Sequence, residues 1–269
     1  MKIAAIQMVS GTRLDDNLAA AGRLLAEAAA QGCELAVLPE WFCFLGRVDT
    51  DKIALRETAG EGPVQAFLAE RARSLGLWVV GGTLPLAASD AGHVRNTNLV
   101  FSPQGERVAR YDKIHLFRFD GGREQFDEAR TIEPGQTPVA FELNDRSGTR
   151  WRIGLSVCYD LRFPELYRDL HADILLVPSA FTHVTGEAHW APLLRARAIE
   201  NLAYVVAPAQ GGLHDNGRRT WGHSLVVDPW GDVLAERAQD GEGCVFASLD
   251  VERLSQVRRA LPALEHRVL

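Results

Sequence analysis

CELAVLPEWF, residues 33–42, is an apolar run that stops at a proline and an acid, and ADILLVPSAF at 172–181 repeats it. Apolar runs of this length, bounded by turn residues, read as buried strands. Outward from each copy the neighbouring segments also pair. KIAAIQM (2–8) matches RIGLSVC (152–158), LWVVGGT (77–83) matches AYVVAPAQG (203–211), and NTNLVFSPQGERVAR (96–110) matches GHSLVVDPWGDVLAE (222–236). Order and approximate spacing are kept, which is the sequence sign of a repeated unit. Each half therefore reads strand, helix, strand, helix, strand, and then a hairpin turning at Pro-x-Gly.

The helices between these strands have their own signals. Leu18, Ala21, Leu25 and Ala28 recur at helical spacing behind Asp15 and Asp16, and Gly32 stands where that helix should stop. A second helix is expected over residues 63–75, closed by Gly76. Alternation between a period of two and a period of 3.6 predicts an α/β fold. With two similar halves packed sheet to sheet, the expectation is a four-layer α-β-β-α sandwich forming a single domain over residues 1–269.

Composition narrows the functional classes. Apolar residues make up 46% of the chain and charged residues 24%, an ordinary globular balance. A formal net charge of -6, with no dense Lys/Arg run, argues against nucleic acid as a partner. No apolar run approaches the roughly 20 residues needed to span a bilayer, and the N-terminal stretch is too short for a signal core before it meets Arg13, Asp15 and Asp16. No membrane association and a cytoplasmic location are the expectation. Cys33, Cys43, Cys158 and Cys244 are scattered without a CxxC pair, which fits thiols kept reduced.

Ligands in α/β folds gather outside the carboxyl ends of strands, and three reactive side chains sit at such ends. Cys158, in GLSVCYDLRFPELYR, lies between an apolar strand and a helix start, where oriented backbone N–H groups favour a thiolate. Taken alone it reads first as a small core hydrophobe, and its position between strand and helix is what counts against that. Glu40 follows AVLP directly and is flanked by Trp41 and Phe42, so its carboxylate would be partly desolvated, which suits a general base. The alternative is a solvated loop acid. Lys113, in YDKIHLF, is either a surface charge or a buried ammonium that requires a partner.

LPE at Glu40, YDKIHLF at Lys113 and VCYDLRFPELYR at Cys158 resemble, in order and separation, the three signature motifs of the nitrilase superfamily of carbon–nitrogen hydrolases. The resemblance continues through PSAFTHVTGEAHW, LLRARAIEN and GHSLVVDPWGDVLA, and so covers nearly the whole chain. It implies a thiol amidohydrolase with a Glu40-Lys113-Cys158 triad, a thioester intermediate, and no cofactor or metal. It also implies a second glutamate, for which Glu128 is the match and Glu124 the alternative, because FRFDGGREQF departs from the usual spacing. The backbone N–H of Tyr159 is the candidate oxyanion donor.

The segment AQGGLHDNGRRTWGHS is more similar to the branch that hydrolyses deaminated glutathione than to the omega-amidase branch, and nitrile hydrolysis is a further alternative. Candidates for substrate contact are Phe42, Arg162, Ala180, Phe181 and His214. Arg118, Arg123, Arg130, Arg218 and Arg219 could pair with a substrate carboxylate. The family implies a homodimer, and Trp190, Leu193, Leu194 and Arg197 share the helical face expected at its contact.

Other chemistries fit less well. GLSVC lacks the second glycine of a GxSxG serine elbow, and VCYD has no flanking glycines for the sharp turn of a Cys-His amidotransferase. His183, Glu187 and His189 do not have HExxH spacing for a metal. A catalytically idle scaffold is the remaining class, and reactivity of the Cys158 thiol separates it from an enzyme.

Overall fold

The protein is described by a computed structural model that covers residues 1–122 and 125–268. The first half runs through β1 (Lys2–Gln7), α1 (Leu14–Ala30), β2 (Leu35–Val37), α2 (Asp51–Ala54), α3 (Pro63–Leu75), β3 (Trp78–Val80), β4 (Leu84–Ala87), β5 (Val94–Phe101) and β6 (Arg107–Asp112). A hairpin of β7 (Arg118–Asp120) and β8 (Gln125–Asp127) and the strand β9 (Val139–Asn144) lead to the second half. There follow β10 (Arg150–Leu155), α4 (Pro164–Leu170), β11 (Ile174–Leu176), α5 (His183–Asn201), β12 (Tyr204–Ala207), the hairpin β13 (Gly211–Leu213) and β14 (Arg219–Trp221), β15 (Ser224–Val227), β16 (Val233–Arg237), β17 (Gly243–Ser248) and α6 (Val251–Ala260).

Local signals explain the helix limits. Asp15 and Asp16 occupy the first turn of α1, where negative charge meets the positive end of the helix dipole, and Gly32 leaves it in the left-handed region at φ 74°. Pro63 opens α3, its missing N–H costing nothing there, and Gly76 closes it at φ 61°.

Two sheets form in matching order. In the first, β1, β2 and β3 are parallel neighbours and β5 runs antiparallel to β3, with β6 on its far side. In the second, β10, β11 and β12 are parallel and β15 and β16 follow antiparallel. Along β1, Ile3 and Ala5 join the core shared with the second sheet, while Ala4 and Ile6 join the core under α1 and α3. A strand buried on both faces needs apolar residues along its centre, as residues 3–6 (IAAI) of β1 have. The helices α4 and α5 cover the other sheet, completing the α-β-β-α layers.

Among the strands that were not foreseen, two cross between the halves. β9 pairs antiparallel with β10, and β17 pairs antiparallel with β1, so the last strand of each half closes the edge of the other half's sheet. The carboxyl ends of the parallel strands of both sheets converge, as the bridge from Met8 to Gln210 and the bond from the Ala180 N–H to Glu40 Oε2 show.

The helical face expected at a dimer contact points inward instead. Trp190 and Leu194 are fully buried, Leu193 packs on the same core, and Arg197 donates to the Leu161 carbonyl. A face this apolar was already claimed by its own sheet. Among the described residues no helix is long and apolar enough to cross a membrane.

Candidate active site

Glu40 stands three residues beyond the end of β2. The chain turns sharply there: Trp41 adopts φ 55° and its N–H donates to Thr83 Oγ1 at 2.8 Å. Gly82 makes the approach possible, since a Cβ on it would lie 2.0 Å from the Pro39 carbonyl oxygen. The Glu40 carboxylate is buried and fully engaged. Its Oε1 accepts from Lys113 Nζ and from Asn96 Nδ2, both at 2.9 Å, and its Oε2 accepts from the Ala180 N–H at 3.0 Å.

Lys113 follows β6, tethered by its N–H to the Asn96 carbonyl at 2.9 Å. Its ammonium, 1% exposed, bridges Glu40 Oε1 and Glu128, whose Oε2 is 2.8 Å away. Burial alone would push the Lys113 pKa down, but the Glu128 and Glu40 carboxylates override it and hold the pKa well above the usual lysine value. The group is therefore held as a cation at neutral pH. Glu128 lies on a short 3-10 turn after β8, and its Oε2 also accepts from the Phe117 N–H at 2.7 Å. Glu124, the alternative second glutamate, and Arg123 lie outside the described residues.

Cys158 opens a 3-10 turn (Cys158–Arg162) three residues after β10, and its own φ is 51°. A non-glycine residue in the left-handed region is uncommon and costs energy that its surroundings must repay. The sharp turn thus forms without flanking glycines, contrary to the sequence argument. Asp160 explains how. Fully buried, it accepts from the Val157 N–H at 2.8 Å, Tyr111 Oη at 2.7 Å and the His115 N–H at 3.0 Å, and meets His115 Nδ1 at 2.7 Å. One carboxylate therefore ties the Cys158 turn to the segment bearing Lys113.

The thiol is not held as a thiolate. Burial and then the Glu40 charge push its pKa well above the usual value, outweighing the Lys113 ammonium and the Ala180 N–H. A helix start was expected to favour the anion, but desolvation and a neighbouring carboxylate dominate. Chemistry at this sulfur needs a base, and Glu40 is beside it.

These groups line one wall of a cleft with an empty volume of about 640 Å³. Tyr159, Arg162, Ala180 and Phe181 line it too, with the Arg162 guanidinium 5.8 Å from the Tyr159 ring centre and 5.6 Å from that of Phe181. Two candidates fall outside it. Phe42 is fully buried in the core under α1 and α3, because the turn at Trp41 sends Trp41 to the cleft instead. His214 spends both ring nitrogens on buried partners, the Ser10 carbonyl and Thr220 Oγ1, each at 2.8 Å.

Of the arginines expected to pair with a substrate carboxylate, Arg218 lines the cleft, Arg118 and Arg130 are exposed, and Arg219 pairs with Asp240 at 3.3 Å. Sequence reasoning missed Asn96, Asp160 and Lys52. Asp160 stood two residues after the cysteine in the quoted motif, but nothing local revealed Tyr111 and His115 as its partners. Among the described residues no group of three metal-ligating side chains converges. His183 packs its ring against Trp221, while His189 faces Arg162.

Comparison with known proteins adds an independent line. The carbon–nitrogen hydrolase family matches residues 2–259. A deaminated glutathione amidase of Synechocystis is 43% identical over 98% of this chain and 97% of its own length. An omega-amidase of Pongo abelii is 35% identical over 99% of this chain and 94% of its own. Among solved structures, the C. elegans NitFhit protein superposes with a TM-score of 0.89 at 39% identity, covering 99% of this chain and 64% of that longer one.

Proposed function

The chain belongs to the carbon–nitrogen hydrolase family, and from that premise we propose that it is a thiol amidase cleaving the C–N bond of small amides at Cys158. The observation that carries the reading is the buried cluster itself. A thiol whose pKa is raised by burial and by the Glu40 charge, that carboxylate, and an ammonium 2.9 Å from the same carboxylate face one cleft.

In this mechanism Glu40 takes the thiol proton as Cys158 Sγ attacks the amide carbonyl carbon. Charge developing on the carbonyl oxygen is met by the Lys113 ammonium and the Tyr159 N–H, dipoles already in place before reaction. As the tetrahedral adduct collapses, Glu40 returns its proton to the nitrogen, which leaves as ammonia, or as an amine where the amide is substituted. The acyl group remains as a thioester on Cys158. Glu40, again a carboxylate, then takes a proton from water as its oxygen attacks the thioester, and returns that proton to the departing sulfur, releasing a carboxylic acid and the thiol. Glu128 positions Lys113. Arg162, held between two aromatic faces, is the candidate partner for a substrate carboxylate close to the carbonyl.

Relatives named deaminated glutathione amidase and omega-amidase support an amide carrying a carboxylate as substrate, with deaminated glutathione the first choice and α-keto acid amides the second. Comparing α-ketoglutaramate, deaminated glutathione and small nitriles by release of ammonia or amine tests this. Turnover of nitriles in preference to amides overturns it. An idle scaffold is excluded if amide substrate protects Cys158 from a thiol reagent. Unpaired Cys33, Cys43, Cys158 and Cys244 support a reducing compartment such as the cytoplasm. A homodimer, if formed, must use a surface other than the inward face of α5. Exposed Ile199, Trp230, Val233 and Leu234 support such a surface, and light scattering tests it.

A further inference from the structure

Away from Cys158, the cleft opens into shallower recesses lined by Asp49, Lys52, Phe126 and Arg218. We infer that Lys52 and Arg218 form a second anion-binding position at this outer end, which takes a carboxylate carried by the substrate far from the scissile carbonyl. This rests on the amidase reading and adds to it a distal recognition group.

Both cations are placed but not neutralised. Lys52 Nζ lies 5.4 Å from the Trp41 ring centre and donates to Thr131 Oγ1 at 3.3 Å. The Arg218 guanidinium lies 5.2 Å from the ring centre of Phe126. Ring faces hold a cation in position while leaving its N–H donors free for an anion. Among the described residues, no carboxylate comes within 4.0 Å of either group, although Asp49 and Asp127 share the cleft wall and Glu40 and Glu128 are engaged by Lys113.

The two cations also act on each other. Lys52's pKa is lowered, first by burial and further by the nearby Arg218 and Lys113 charges, against the opposing pull of Asp49 and Glu128. Partly buried like charges without a bound partner are costly, and an arriving carboxylate relieves that cost for both. A guanidinium and an ammonium lining one recess offer a fork and a point charge to one carboxylate.

The test compares deaminated glutathione with the same compound methyl-esterified at its glycine carboxylate. In Lys52→Met and Arg218→Met, the ratio of kcat/KM for the acid to kcat/KM for the ester should fall about tenfold or more, the size of a lost charged hydrogen bond. The fall should come through KM, and Lys52→Arg and Arg218→Lys should restore most of the ratio. An unchanged ratio in both Met variants overturns the inference and leaves the amidase reading intact. Should a Met variant fail to fold, salt gives a second readout on the unsubstituted enzyme. There KM for the acid should climb more steeply with ionic strength than KM for the ester, and equal climbs overturn the proposal. If the unsubstituted enzyme turns over neither compound, nor α-ketoglutaramate, the amidase reading falls and the subsite falls with it.

Discussion

The two halves share one strand order, yet only one pair of strand ends opens onto a cleft. In the sequence pairing, Cys158 corresponds to Met8 and Glu40 to Ser179. Met8 and Ser179 are fully buried, and the Ser179 hydroxyl donates to the Val177 carbonyl at 3.0 Å. Gln210 fills the space between them and Ser10, donating from Nε2 to Ser10 Oγ at 2.8 Å and to the Glu40 carbonyl at 3.1 Å. The same architecture therefore builds an open cleft at one position and a sealed core at its counterpart. A further asymmetry lies in the connections. The first half inserts β7, β8 and the Glu128 turn between β6 and β9, whereas residues 238–242 join β16 to β17 directly. Strand ends provide a place for chemistry, but side chains and inserted loops decide whether it is used.

Substitution at the reactive member should have the largest effect. Cys158→Ala should abolish amide turnover, a loss on the order of 10⁴-fold or more, while thermal unfolding stays close to that of the unsubstituted protein. Full activity in that variant would break the comparison outright.

Lys113→Ala should lower kcat roughly 100- to 1000-fold, as removal of an oxyanion donor does. It should also lower stability by about 3–5 kcal/mol, because Glu40 and Glu128 are left buried without their cation, which denaturant titration would measure. The folded pKa of Lys113 lies above its unfolded value, so its stabilisation is fully present below the unfolded pKa of about 10.4 and is lost only as pH climbs through the higher folded value. The stability gap between the two proteins should therefore stay flat from neutral pH to about pH 10 as far as this group controls it. A gap that closes well below that would show that the ion pairs do not hold the site.

The smallest effect sharpens the contrast between the two positions. Met8→Cys, made in the Cys158→Ala background, places a thiol at the sealed counterpart. It should cost about 1 kcal/mol of core packing, restore no turnover, and resist iodoacetamide in intact-mass measurements under conditions that label Cys158. Labelling at the Cys158 rate would mean the counterpart is open.

How much of this was legible follows the range of the forces involved. The parallel strands were readable because their centres, IAAI, LAVL and IGL, must be apolar to be buried on both faces. α1 and α3 carried their own stop signals at Gly32 and Gly76. β9 and β17 escaped, since their partners are set by the closure of a sheet rather than by local pattern; Lys2 pairs with Ser248 across nearly the whole chain. Phe42 and Trp41 were exchanged for a related reason. Alternation gives the period of a strand, but the left-handed turn at Trp41 resets which neighbour faces the cleft.

Residue identity alone determined the duplicated α/β pattern and the three reactive groups, because burial periodicity and chemical type are properties of the chain itself. Tertiary structure decided the rest: that Glu40 and Ala180 meet across two sheets, that Asp160 locks the Cys158 turn to the Lys113 segment, and that the thiol stays protonated. Protonation and strain depend on desolvation and on charges a few ångströms away, and those distances exist only once remote segments have packed together.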